Sequence, residues 1–176
     1  MSETWAEFHY YADPTGDSVF EQTSIVCSAC GKHREWKYQG VFYSIHDDLV
    51  ICPWCIADGL AAKKFDGEFQ EADFAETASR DSVLAVRTRT PSVATWNPIF
   101  WPDHCSECCQ YIGDLRNHWS VEIIESATAQ ADIRAIAEIT RMTTGEILEW
   151  AKRGAIYLRL FQCVQCGNYR LALDLD

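Results

Sequence analysis

Repeated Cys-x2-Cys pairs constrain this chain more than any other feature. Cys27-Ser28-Ala29-Cys30-Gly31 and Cys52-Pro53-Trp54-Cys55 are 21 residues apart, and Cys105-Ser106-Glu107-Cys108 and Cys163-Val164-Gln165-Cys166-Gly167 follow. Cys109 is the one cysteine of nine left outside a pair. Zn²⁺ binds thiolates tetrahedrally, and a structural site closes its shell with four protein ligands. Cys27, Cys30, Cys52 and Cys55 are therefore expected to share one zinc. Cys105, Cys163 and Cys166 are expected at a second zinc, with either Cys108 or Cys109 as the fourth donor and His104 as a lesser substitute.

Glycine after the second cysteine lets a Cys-x2-Cys turn adopt φ > 0 and aim its N–H groups at the sulfurs. Cys27–Gly31 has that form. The aromatic and β-branched stretches 35–39 and 41–45, on either side of Gly40, predict strands. Leu49–Ile51 predicts a short strand leading into Cys52. A helix is expected from Cys55 to Phe65, ended by Asp66-Gly67. Knuckle, hairpin and a ligand pair at a helix N-terminus is a treble-clef order. Cys-Pro-Trp-Cys also has the spacing of a redox dithiol. Such a motif needs one pair rather than several, and it sits in a strand–motif–long helix context that this chain lacks.

Beyond residue 70 the chain is more polar. Glu71–Ala78 predicts a helix, and 79–95 reads as linker. Trp96-Asn97-Pro98-Ile99-Phe100-Trp101-Pro102 is an aromatic stretch broken by prolines, expected to pack inside. Val121–Ile124 opens either a strand or a helix. Helical spacing of Ile133, Ile136 and Ala137, then a capping box at Thr143–Glu146 and a stop at Gly154, predicts two helices within 131–153. Residues 155–162 and 169–175 predict a hairpin with the fourth cysteine pair at its tip, half of a zinc ribbon. The fold class is thus α+β, with small sheets, treble-clef and zinc-ribbon modules and a helical insertion at 121–153. The expected divisions are 1–70, a connector at 71–100, and 101–176.

Charge and missing motifs narrow the function. Formal net charge is −11 over 176 residues. A free polyanion is disfavoured as a partner and a cationic protein is favoured, because opposite charge speeds encounter. The two helices followed by a strand have the rhythm of a winged helix-turn-helix, but Glu146 and Glu149 along the second helix would repel phosphate. Nucleic-acid binding is therefore the weakest reading. No His-Glu-x-x-His helix, phosphate-binding glycine loop or nucleophile elbow occurs, and the five histidines are dispersed. No catalytic set is expected. No stretch reaches the roughly 20 apolar residues of a membrane span. The N-terminal residues carry neither a basic nor an apolar signal region, so a cytoplasmic location is expected, with cysteines as metal ligands rather than disulfides.

Cys52-Pro53-Trp54-Cys55-Ile56-Ala57-Asp58-Gly59, followed by Ala61-Ala62-Lys63-Lys64-Phe65-Asp66-Gly67-Glu68-Phe69, resembles the signature of CbrC-like proteins. Further matching residues are Cys27, Cys30-Gly31, Gly40, Phe42-Tyr43-Ser44, His104-Cys105, Tyr111-Ile112-Gly113, and Phe161 with Cys163, Cys166 and Gly167. That bacterial family is associated by name with colicin tolerance, and the resemblance implies a zinc fold and no established enzyme activity. Together these readings point to a non-catalytic structural-zinc protein working through protein contacts, with a basic toxin domain as the expected partner and immunity or tolerance as the expected role. The alternative is a thiol- or zinc-dependent redox or stress regulator.

Overall fold

A computed structural model describes residues 4–95 and 97–174, in an α+β arrangement of short sheets and helices. The chain forms two compact units. One runs through Glu71 and takes back Arg80–Ala94; the other comprises Ala72–Ser79 and the chain from Thr95 onward. The residues expected as a separate connector at 71–100 are thus shared between the two.

In the first unit, β1 (Phe20–Val26) pairs antiparallel with β2 (His33–Tyr38), from Phe20–Tyr38 to Val26–His33, with the register shifting between Gln22 and Ile25. The Cys27–Cys30 turn is the tip of this hairpin. Aromatic rings supply much of the core. Trp5 meets Phe20, Trp36 and Trp54 edge-on; Phe8 stacks on Phe20, and Tyr38 and Phe42 both pack on Phe69. The buried Tyr38 hydroxyl donates to the Val41 carbonyl at 2.8 Å and accepts the Ser92 N–H at 2.9 Å.

The strand expected at 41–45 is reduced to one bridge, Tyr43 to Glu68. The cause lies at Gly40, where a Cβ would sit 2.3 Å from the Ser92 Oγ and 2.5 Å from the Tyr38 hydroxyl. The backbone leaves the sheet there to pass close to these groups. Residues 49–51 form no strand either, though the Ile51 carbonyl accepts the Tyr38 N–H at 2.8 Å.

The helix expected from Cys55 to Phe65 is two helices, α1 (Pro53–Ala57) and α2 (Leu60–Phe65). Gly59, at φ 76°, breaks them. The expected linker at 79–95 contains α3 (Arg80–Arg89), which buries Ser82 and Val86. Its apolar residues bunch at Val83–Val86 rather than repeating along one face, so local periodicity does not announce it. Packing in the first unit holds it, with the Arg87 carbonyl accepting the Phe69 N–H at 2.7 Å.

In the second unit, the helix expected at 71–78 is instead β3 (Ala72–Phe74), paired in parallel with β4 (Ile99–Trp101). A backbone ladder to a partner 27 residues ahead overrides the local helical preference. Of the aromatic stretch, Ile99 and Trp101 are buried and Phe100 is exposed; Trp96 lies outside the described residues. A tight hairpin follows, β5 (Asp103–His104) with β6 (Glu107–Cys108).

The main sheet has the order β7-β8-β9, all antiparallel: β7 (Gln110–Asp114), β8 (Tyr157–Gln162) and β9 (Tyr169–Asp174). Between β7 and β8 come α4 (Val121–Glu125), α5 (Ala127–Thr140) and α6 (Thr144–Arg153). The capping box is present: the Glu146 N–H donates to Thr143 Oγ1 and the Thr143 N–H to the Glu146 carboxylate. Ile133, Ile136, Ile147 and Ala151 from the helices meet Leu158, Leu160 and Leu171 from the sheet in one aliphatic core. The helical pair therefore packs on the sheet as periodicity predicts.

Candidate metal centres

Two backbone turns in this chain are built alike. At the tip of β1–β2, the Gly31 N–H donates to the Cys27 carbonyl at 2.8 Å and the Cys27 N–H to the Lys32 carbonyl at 3.0 Å. At the tip of β8–β9, the Gly167 N–H donates to the Cys163 carbonyl at 2.9 Å and the Cys163 N–H to the Asn168 carbonyl at 2.8 Å. Gly31 and Gly167 have φ of 70° and 74°, a conformation glycine adopts without penalty. Each turn therefore presents two sulfurs on one side of a rigid loop.

The first turn is met by the N-terminus of α1, where Cys52 is the N-cap and Pro53 the first helical residue. The chain before it docks on the turn: the Ser28 N–H donates to the Val50 carbonyl at 2.7 Å, and the Val50 N–H to Ser28 Oγ at 3.0 Å. Cys27, Cys30, Cys52 and Cys55 come together, with all four sulfurs within 4.8 Å of one another. Cys27, Cys52 and Cys55 are buried. Lys64 of α2, which sequence patterning did not single out, donates from Nζ to the Ser28 and Ala29 carbonyls at 2.8 and 2.9 Å. It pins the turn and brings a cation to a site rich in thiols.

Charge in this group is unevenly held. The hydrogen bond from the Cys52 thiol, then the N–H groups of Cys30, Cys52 and Ala29, hold the Cys27 thiol down to about 4. Its bond to Cys27 and its burial push Cys52 upward, and burial pushes Cys55 up to about 12. Burial and mutual proximity thus oppose ionising all four thiols together. A dication relieves this conflict, because a coordinating thiol is deprotonated outright. The donor set thus fits a metal ion. It does not fit a redox dithiol, since Cys52 and Cys55 are 0% and 2% exposed and the intervening Trp54 is spent on packing against Trp5.

The second turn is met by the β5–β6 hairpin, and here the structure differs from the expected donor set. The group it brings together is His104, Cys105, Cys163 and Cys166, with ligand atoms within 4.8 Å of one another. Cys108 and Cys109 stand outside it, both fully buried. Burial pushes the Cys109 thiol up to about 12. Cys105-Ser106 is a two-residue turn with φ of 54° and 58°, pairing His104 with Glu107 and Asp103 with Cys108. Side chains alternate along a strand, so Cys108 follows Asp103 inward while His104 and Cys105 are delivered to the knuckle. No glycine follows Cys108, and that is the sequence signal against a third knuckle.

Distances support one shared ion. For Zn–S bonds of about 2.3 Å, tetrahedral geometry places sulfurs roughly 3.8 Å apart; Cys105 Sγ and Cys166 Sγ are 3.7 Å apart. His104 Nδ1 lies 3.2 Å from each of those sulfurs. Unlike the first group, this one reaches solvent through Cys105 and Cys166. The Asn168 N–H lowers the Cys166 thiol, while its hydrogen bond to Cys166 raises Cys105 to about 11.

Among the described residues these two groups are the ones able to hold a metal ion, and no helix is long and apolar enough to cross a membrane. A UPF0167 protein of Mycobacterium bovis is 28% identical to this chain over 172 residues, covering 96% of this chain and 92% of that protein. A UPF0167 protein of Pseudomonas aeruginosa is 30% identical over 181 residues, covering 99% of each. No solved structure matches the chain. The family model described as "Uncharacterised protein family (UPF0167)" matches residues 5–175, and the chain belongs to that family.

Proposed function

We propose that both groups are structural zinc sites and that the protein acts without catalysis, by binding a cationic protein. The observation that carries this is the closure of each group by four protein donors, which leaves no position for a metal-bound water to act as nucleophile. The net charge of −11 supports a basic partner through attraction and faster encounter. A basic toxin domain, neutralised by an immunity or tolerance protein, is the specific form of this reading, and the resemblance to CbrC-like proteins favours it. Two measurements test it. Metal analysis should return two zinc per chain. Cells carrying the gene should survive a toxin-delivering neighbour that kills cells lacking it, and equal killing would sink the immunity role.

A second reading rests on one difference between the groups: Cys105 and Cys166 are exposed, whereas Cys27, Cys52 and Cys55 are buried and Cys30 is half-buried. Hydrogen peroxide would oxidise these two thiolates to a disulfide, itself reduced to two waters with two protons taken from solvent, and the metal would be released. Rapid loss of one zinc per chain under mild peroxide, reversed by dithiol reductant, would favour this regulator. Both zinc ions staying bound would exclude it.

A further inference from the structure

The first unit carries a trough of about 1160 Å³ between α2 and α3. It is larger than the roughly 300–1,000 Å³ of small-molecule pockets. Its walls hold exposed apolar side chains: Leu84 is 58% exposed, Tyr43 45% and Leu60 37%. Carboxylates of Asp58, Asp66, Glu68 and Asp81 surround them, against the two cations Lys63 and Arg89. Glu68 is engaged with Arg87 at 3.3 Å and Asp58 accepts the Leu60 N–H at 2.8 Å; four carboxylates against two cations still leave the lining net negative.

The geometry points to this trough as the docking surface for a cationic, apolar-anchored segment of a partner protein. It rests on the partner-binding reading above and gives that reading a place. Size and openness suit a peptide segment laid along it, whose apolar side chains would cover Leu60, Leu84 and Tyr43. An amphipathic helix seats its apolar face in a groove in this way. Charge complementarity selects the occupant, because a basic flank would lie against the carboxylates and an acidic one would be repelled. The trough is remote in role from the metal: none of its lining residues is a member of either metal group.

The test uses the full chain loaded with zinc and a fluorescent 18-residue helical peptide of leucine and lysine, with a leucine–glutamate peptide as the charge control. Binding is read by anisotropy at 50 and 300 mM salt. Leu84→Glu and Asp81→Lys should each weaken the basic peptide at least tenfold, with metal content and circular dichroism unchanged. Ile139→Glu, an exposed apolar position in the second unit, should change binding less than twofold. The acidic peptide should not bind. Equal weakening by Ile139→Glu, or none by Leu84→Glu and Asp81→Lys, overturns the trough while leaving a cationic partner in place. Failure of the basic peptide to bind the unaltered protein overturns both. Self-association abolished by Leu84→Glu would make a second copy the occupant and refute the cationic one.

Discussion

His104→Ala and Cys108→Ala, compared side by side, test the reading of the second metal group. Structural zinc sites contribute apparent binding free energies of about 10–16 kcal/mol. An even share among four donors is about 2.5–4 kcal/mol, or roughly 100- to 1000-fold in affinity at 1.4 kcal/mol per decade. His104→Ala should therefore leave the second zinc open to extraction by a chelator that does not touch the first, so stoichiometry falls from two to one. Cys108 has no such share. Its side chain is fully buried, and trimming it to alanine removes about one methylene equivalent, worth about 0.8 kcal/mol. The void left, about one water in size or ~30 Å³, adds about 0.7 kcal/mol at ~24 cal/mol per Å³. Cys108→Ala should lose about 1.5 kcal/mol of stability and keep two zinc. The assay is chelator competition followed by metal analysis, with urea unfolding alongside. The opposite pattern, in which Cys108→Ala or Cys109→Ala drops to one zinc while His104→Ala keeps two, would refute the hairpin argument.

Three further outcomes are expected. Ile133→Ala, at a fully buried position in the aliphatic core, should cost about 2–5 kcal/mol, read as a lower urea midpoint with an unchanged slope. Asp132→Ala should cost about 3 kcal/mol. It leaves Arg170, bonded to the Asp132 carboxylate at 2.9 and 3.0 Å, and the Leu171 N–H without their acceptor; Asp132→Asn should recover part of the loss. Acid should loosen α6. The Thr143 N–H, then its hydroxyl, hold the Glu146 carboxyl below its ordinary 4.5. Its stabilisation is present above 4.5 and lost as pH falls through the lower folded value. Amide exchange in α6 should quicken over that window in the unaltered protein and show less pH dependence in Glu146→Gln.

What could be read from sequence was local. The knuckles follow from Cys-x2-Cys-Gly, and α6 follows from Thr143, Glu146 and Gly154, because each feature lies within a few residues of its cause. The β3–β4 ladder joins three-residue segments far apart, and α3 lacks an apolar face, so neither leaves a periodic trace. Gly40 was legible as a break, but its cause, the close passage of Ser92, is 52 residues away. The fourth member of the second group was the least legible, since His104, rather than Cys108 or Cys109, lies with Cys105, Cys163 and Cys166. Cys105-Ser106-Glu107-Cys108 has knuckle spacing, yet a knuckle needs glycine after its second cysteine. With Cys109 there instead, the same four residues close a hairpin and turn Cys108 inward.

That hairpin requires two successive non-glycine residues in the left-handed region, at about 1–2 kcal/mol each. Asn-Gly is the usual solution for such a turn; Cys105-Ser106 is not. The surroundings hold it from several sides. The Ser106 carbonyl accepts the Ser79 N–H at 3.0 Å, and the Thr77 hydroxyl donates to the Asp103 carboxylate at 2.8 Å. Arg170 Nη1 donates to the Asp103 carbonyl, and Arg170 is itself gripped by Asp132 of α5. The residues before α3, the last strand and the helical insertion thus converge on the turn that offers His104 and Cys105. The helical insertion is in this sense part of the candidate metal site's support, since Asp132 of α5 bonds Arg170 and Arg170 bonds the hairpin backbone. Cys105 and Cys166 are solvent-exposed, yet the hairpin that carries Cys105 is held by backbone and side-chain hydrogen bonds from three separate segments.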